Sequence, residues 1–484
     1  MLPARPASVE AALVITSQKA RHTNPAKAAS MPADFQSLRC RLAILILAGV
    51  MGCWGAAATR PAAWSQWHGP DRTGAIAEAS GWPQGWPPKE LWRTNVGYGA
   101  AAPLIVNDRV YAIGWKAGQD SVHCLEAAGE HGKPREIWVK SYACPPGSRK
   151  GTRFPGCYKG PMATPAMEPD TGYLYTLSCD GDLRCWEAYN RTEPGKLKWA
   201  LNLFGDYQAT VGEEDYGFFG SPLLYGNWVI VEVGHNKEGA TWAFDKGTGK
   251  VAWKSAACGN RATASPALIF VEGTPCVVAI TSDRCLVVRM DKGHEGQSVV
   301  EHPWKSLYNE SSPSPIVSGN EVLLTMCESV GKRTQLLTIH SLKLNDYSLK
   351  DYTKEFFTCT STAALNEGNL YFRSGRKVRS FGLDSGKMNW ESGEVFEENH
   401  PMGAEVGNLL VTAGDRKMIV WDGIKQGNLV LAEASPRSEW KELCRLNGVF
   451  KKSEYEQGYP HVVFCGGRIV CRNMEGDMVC LSVR

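Results

Sequence analysis

Fifty glycines and 27 prolines in 484 residues, eight recurrences of one strand-rich unit, and a last unit that stops a strand short together predict an all-β fold. The predicted architecture is an eight-bladed β-propeller of four-stranded blades, closed by an N-terminal strand that completes the last blade. Glycine and proline interrupt helices, so this composition favours short strands joined by tight turns. A hydrophobic content of 43% supplies a large core.

Along the chain, residues 1–58 read as an N-terminal extension and signal peptide, and 59–484 as the propeller domain. Arg39 and Arg41 precede the apolar run Leu42 to Gly52, and small residues follow at Ala56 to Ala58. That run is too short for a stable membrane span, so export is the expectation. Cys53 closes a "VMGC" stretch similar to a lipoprotein box, which makes a lipid anchor there the alternative to simple cleavage near Ala58; Met31 is a second candidate start. Residues 1–58 hold six basic and two acidic residues, and the remainder holds 47 basic against 48 acidic. A near-neutral body gives no electrostatic ground for nucleic-acid binding.

The repeat begins with a small residue and a proline ahead of an apolar run, at Pro103, Pro165, Pro222, Pro266 and Pro315. Thr362 to Phe372, Met402 to Ala413 and Gly458 to Cys471 keep the shape without the clean motif. Each unit continues as strand, polar turn, strand, then a Gly-Lys turn into a tryptophan, about fifty residues in all, as a propeller blade requires. The closing residues are Trp138, Trp199, Trp253, Trp304 and Trp390, with Tyr352 at a degenerate site. The final unit ends at "VCLSVR" without its outer strand, while "PKELW" (Pro88 to Trp92) precedes the first complete unit. Placing Lys89 to Trp92 on the last blade closes the ring and pairs a strand edge that would otherwise be open. Trp92, Trp138, Trp199, Trp253, Trp304 and Trp390 are read as structural residues that dock one blade on the next.

"AFDKGTGKVAW" (Ala243 to Trp253) and "GLDSGKMNW" (Gly382 to Trp390) resemble the tryptophan-docking repeat of the PQQ-like, or quinoprotein alcohol dehydrogenase-like, β-propeller family, to which the outer-membrane assembly lipoprotein BamB is similar. The leader "WSQWHGPDRTG" (Trp64 to Gly74) looks like the opening of secreted bacterial members. The resemblance covers Trp64 to Arg484 and implies the fold. For function it implies two classes, because the same blades serve dehydrogenases and binding scaffolds. The dehydrogenases hold pyrroloquinoline quinone (PQQ) at the channel mouth between a tryptophan floor and, in many members, a disulfide of adjacent cysteines, with Ca²⁺ bound by Glu, Asn and Asp. No Cys-Cys pair occurs here and no catalytic aspartate aligns, so no catalytic residue carries over.

A binding role leans on the segments entering each inner strand, which gather around one channel mouth. Arg153, Glu213, Glu214, Asp215, Arg261, Glu310, Glu398, His400 and Glu456 are the candidate channel-mouth residues. Acid-rich loops suit Ca²⁺, but none has EF-hand spacing, and no metal ligand set is assigned. His68 and His400 read as satisfied loop residues. Neither G-x-S-x-G nor a P-loop occurs.

Fourteen of the 16 cysteines lie in the body, an even number that permits disulfides in an exported protein. Counting outward from a two-residue Glu475-Gly476 turn sets Cys471 opposite Cys480, and Cys144 and Cys157 bracket an insertion, so these are the two candidate pairs; the alternative is that Cys124, Cys185 and Cys480, at one repeat position that Val288 and Val420 fill elsewhere, are buried small hydrophobes. The expectation is an exported, monomeric, non-catalytic binding or assembly scaffold with a protein partner in the cell envelope. The alternatives are a PQQ- and Ca²⁺-dependent dehydrogenase, and a carbohydrate or polymer binder using Tyr158, Tyr216, Phe218 and Phe219.

Overall fold

The computed structural model divides into Met1–Arg60 and Pro61–Arg484. It describes residues 63–129, 132–145, 160–210, 217–305, 312–328, 331–353, 355–356, 358, 361–396, 408–423, 426–437, 439–450 and 459–483. The candidate anchor Cys53 lies outside the described residues, among which no helix is long and apolar enough to cross a membrane.

Eight sheets, each with four antiparallel strands, form the eight blades of the propeller, and one of them carries a short fifth strand. Blades 1 to 7 begin with the inner strands Leu104–Val106, Ala166–Glu168, Leu223–Tyr225, Ala267–Val271, Ile316–Ser318, Ala364–Asn366 and Asn408–Thr412. Blade 8 takes Val463–Cys465, Arg468–Arg472 and Asp477–Ser482 from the end of the chain. Its outer strand is Lys89–Asn95, paired antiparallel with Asp477–Ser482. Position in the blade explains the burial: on second and third strands, such as Arg109–Lys116 of blade 1 and Asn428–Glu433 of blade 7, both faces pack against neighbouring blades, so apolar residues run nearly unbroken.

The outer strands show why the repeat carries tryptophan. In blades 1, 2, 3, 6 and 8 an indole lies opposite a small residue of the third strand: Trp138 on Cys124, Trp199 on Cys185, Trp253 on Ala243, Trp390 on Ser380 and Trp92 on Cys480. Each sits at a β-bulge. Trp92 is fully buried, and its indole N–H donates to the Ala127 carbonyl of blade 1 at 3.0 Å. Trp199 donates likewise to Lys246 of blade 3. The seat beneath Trp199 is Gly249, at φ +71°, where an added Cβ would meet the ring at 2.8 Å. The turn therefore takes glycine for its dihedral and for its closeness to the indole. Tyr352 of blade 5 reaches across to the carbonyls of Gly382 and Leu383 in blade 6.

Two expectations need correction. Trp304 is not at the docking position of blade 4: the register puts Val300 there, opposite Val287. Trp304 follows the strand and lies under the Arg333 guanidinium of blade 5 at 4.3 Å. Nor are Cys471 and Cys480 paired; both are free, as is Cys144. The hairpin closes with Asn473 N–H donating to Asp477 carbonyl, over a three-residue loop of Met474, Glu475 and Gly476. That added residue slips the register by one, so Cys471 faces Val479 and Cys480 faces Val470. Cys144 instead donates to Asp180 Oδ2 at 3.0 Å. Cys157 lies outside the described residues.

Candidate binding site at the central channel

Residues just ahead of the inner strands form a belt around the channel. Ala102 N–H donates to Thr164 Oγ1, Thr164 N–H to Ser221 Oγ, Ser221 N–H to Ser265 Oγ, Ser265 N–H to Ser314 Oγ, and Ser314 N–H to Thr362 Oγ1, all at 2.8–3.1 Å. Four of these hydroxyls, on Thr164, Ser221, Ser265 and Ser314, directly precede a repeat proline. The motif is thus a device by which each blade's hydroxyl satisfies a buried backbone donor of the blade before it. In blade 8 the register places His461 at this position, two residues ahead of Val463.

The leader crosses the space inside this belt. Trp64 bridges Ile105 of blade 1, Ser65 accepts from Met167 of blade 2, and Thr73 accepts from Leu365 of blade 6. Ala75–Ile76 pairs parallel with Val411–Thr412 on the inner edge of blade 7. Glu78 accepts the backbone N–H groups of Gly466 and Gly467 in blade 8. Arg72 reaches blade 3, donating from Nη1 to Pro222 carbonyl at 2.9 Å and from Nη2 to Ser221 carbonyl at 3.1 Å. Inner strands otherwise present open edges to a propeller's channel, and the leader supplies their partners. Gly74 passes too close to Ala364 and His68 for any side chain, an added Cβ lying 2.7 Å from each.

An aromatic cluster forms where the leader meets blade 8. Trp67 stacks on His68 at 4.7 Å, His68 meets His461 edge-on at 5.5 Å, and the Arg72 guanidinium lies over Trp67 at 5.5 Å. His68 Nδ1 lies 3.2 Å from the Arg72 carbonyl, which can only accept, so Nδ1 carries the hydrogen. Burial pulls His68 down to about 4 and His461 well below the usual imidazole range, so both rings are neutral at pH 7. Burial also lowers Arg72, to about 9, leaving it charged at neutral pH. The cluster thus offers indole and imidazole faces and one cation already held by two carbonyls.

Of the candidate mouth residues, Arg153, Glu213, Glu214, Asp215, Glu310, Glu398, His400 and Glu456 lie outside the described residues, as do Tyr158 and Tyr216. Arg261 is buried, donating to the Thr210 and Gly217 carbonyls on either side of residues 211–216 and stacking on Phe218 at 4.3 Å. Phe218 is 1% exposed, which removes it from any surface for polymer binding, whereas Phe219 is half-buried beside Met162 and Met474. Among the described residues no three His, Cys, Asp or Glu side chains are placed to hold a metal ion. Sequence reasoning missed Arg72, His461 and the leader's path. The available signal was a leader dense in Trp, His and Arg that no repeat unit accounts for.

Residues 161–328 match the family model of the outer membrane protein assembly factor BamB. Among solved structures, the chain is similar to BamB from Moraxella catarrhalis, with TM-score 0.51, 12% identity, and coverage of 82% of this chain and 99% of that one. Sqt1 from Chaetomium thermophilum gives 0.52, 11%, 82% and 98%, and Sqt1 from Saccharomyces cerevisiae 0.51, 9%, 82% and 99%. At such identities the likeness is one of fold. No curated protein matches the sequence.

Proposed function

Because the chain is a PQQ-like, BamB-like β-propeller, we propose that it acts as an exported, non-catalytic binding or assembly scaffold of the cell envelope, with a protein partner. The observation that carries this reading is the leader inside the channel. Trp64 to Ile76 bonds to blades 1, 2, 3, 6 and 7, so the protein's own backbone occupies space that a channel enzyme keeps for cofactor and substrate. Arg72, the cation of this leader segment, is committed to blade 3. Export rests on the apolar run Leu42 to Gly52 and its flanks.

The competing reading, a PQQ- and Ca²⁺-dependent dehydrogenase, draws on Trp67, a half-buried indole at the channel with an arginine over its face. Titration of the purified protein with PQQ, with and without Ca²⁺, separates the two. The scaffold reading expects no saturable change in cofactor absorbance and no rise in Tm. A Ca²⁺-dependent rise in both would overturn it, since a ligand that binds only the native state must stabilise that state.

A further inference from the structure

Seven of the eight outer strands break register at a β-bulge, in blades 1, 2, 3, 4, 6, 7 and 8. Bulges twist an edge away from further pairing and are one way proteins blunt exposed strands. The outer strand of blade 5, Tyr347–Asp351, has none: its register runs unbroken from Ile339 opposite Tyr347 to Gln335 opposite Asp351. Two other edges are also covered by turns. Gly132 accepts from Arg93 on blade 8, and Asn345 binds both the Val299 carbonyl and the Glu301 N–H on blade 4.

The backbone groups that this edge leaves unpaired among the described residues can be identified. Tyr352 N–H donates to Thr334 carbonyl and His340 N–H to Asp346 carbonyl, so the hydrogen-bonded pairs between them are Lys350 with Leu336 and Ser348 with Thr338. Tyr347, Leu349 and Asp351 therefore direct their backbone N–H and C=O outward. Ser348 to Asp351 are exposed, and Leu349 and the nearby Leu344 are the large apolar residues there, 46% and 60% exposed.

We propose that Tyr347–Asp351 is a docking edge to which an extended segment of a partner protein adds as a fifth strand. The inference rests on the scaffold reading and names the surface that reading requires. Backbone pairing supplies affinity in such additions, and alternate side chains supply choice. The matching segment places an apolar residue opposite Leu349, an acid opposite Lys350 and a base opposite Asp351. A second copy fits less well. Antiparallel self-pairing centred on Leu349 sets Lys350 against Ser348 and Asp351 against Tyr347, so neither charge meets its opposite. The edge is also only about 17 Å long, too narrow for the roughly 1,000 Å² that a stable interface buries.

The probe is a fluorescein-labelled ten-residue peptide of alternating valine and threonine with a central lysine–glutamate pair. Saturable binding is expected, lost at least tenfold in Leu349→Pro and weakened less in Leu349→Ala. The proline removes an outward N–H and no ladder bond, so an unchanged Tm shows that the variant is folded. Hydrogen exchange on peptide addition should slow at the Leu349 and Asp351 amides. Absence of peptide binding, binding indifferent to Leu349→Pro, or protection confined to other strands would each overturn the proposal. So would a doubled mass by light scattering that Leu349→Pro abolishes, which would make a second copy the occupant. PQQ binding in the titration above would sink the scaffold reading while leaving this result intact, and failure here without PQQ binding would sink the edge alone.

Discussion

The rim and the centre of this propeller solve the same problem, joining one blade to the next, by different means. At the rim one device recurs: Trp92, Trp138 and Trp199 on outer strands, and Tyr352 just after one, seat against Gly129, Gly195, Gly249 and Gly386 of the following blade. At the centre a single leader, used once, joins blades 1, 2, 3, 6, 7 and 8 through backbone bonds and the side chains of Arg72 and Glu78. The difference is one of redundancy. A rim contact secures one neighbouring pair, and each seat has counterparts around the ring. The leader has none.

The largest effect separates closure from ordinary docking. Trp92 belongs to the rim by position but joins blade 8 to blade 1, where the two ends of the domain meet. Trp92→Ala removes a fully buried indole and its bond to Ala127, and should cost about 3–5 kcal/mol. Trp253→Ala, at an internal boundary with the indole 8% exposed, should cost less. Equal losses in urea titrations would mean that the closing blade is no weaker than the others.

Next in size is the central cation. Arg72→Met keeps the length of the side chain but strips donors from the Ser221 and Pro222 carbonyls, a loss of about 2–3 kcal/mol. Because the leader also holds distant blades, hydrogen exchange should quicken beyond blade 3, at Leu365 and Val411. Exchange quickening in blade 3 alone would show that the leader is held piecewise rather than as one strap.

A smaller effect appears only in acid. His68 titrates near 4 in the fold and near 6.5 when unfolded, so the unfolded chain binds more protons between those values. Stability from this group is complete above about pH 6.5 and falls as the pH drops toward 4, with a slope of at most about 1.4 kcal/mol per unit. Thermal melts of His68→Gln should therefore show a flatter acid limb than the parent and the same limb above pH 7. An unchanged acid limb would assign the sensitivity to His461 or His123, which burial also lowers.

The rim was legible because it repeats. Eight units, the small residue–proline start and the missing last strand led to the blades and placed Lys89 to Trp92 on the last one, where the strand runs on to Asn95 against Asp477–Ser482. Even the misplaced Trp304 had a sequence signal. Gly195 precedes Trp199 by four, as Gly249 does Trp253 and Gly386 does Trp390, and the same interval from Gly296 reaches Val300. The centre has no internal copy to compare with, so the leader's path and the partners of Arg72 could not be read from spacing. Arg261 shows the same limit: a charge in a loop entering an inner strand looks available until the carbonyls around it are known.

The smallest predicted effect is none at all, and it tests the one-residue slip. If the hairpin loop holds three residues, Cys471 and Cys480 belong to adjacent cross-strand pairs, not to the same pair. Both thiols are deeply buried, and burial pushes Cys480 up to about 12 and raises Cys471 well above the usual thiol range, so neither is a ready nucleophile in the fold. Denaturation followed by alkylation without reductant should label both cysteines fully, and reductant should leave Tm unchanged. A tryptic mass showing the two joined would restore the two-residue turn. It would also move Met478 and Val479 to opposite faces, exchanging what blade 8 presents to blades 7 and 1, because a register shift in a sheet buried on both sides cannot be confined to one pair.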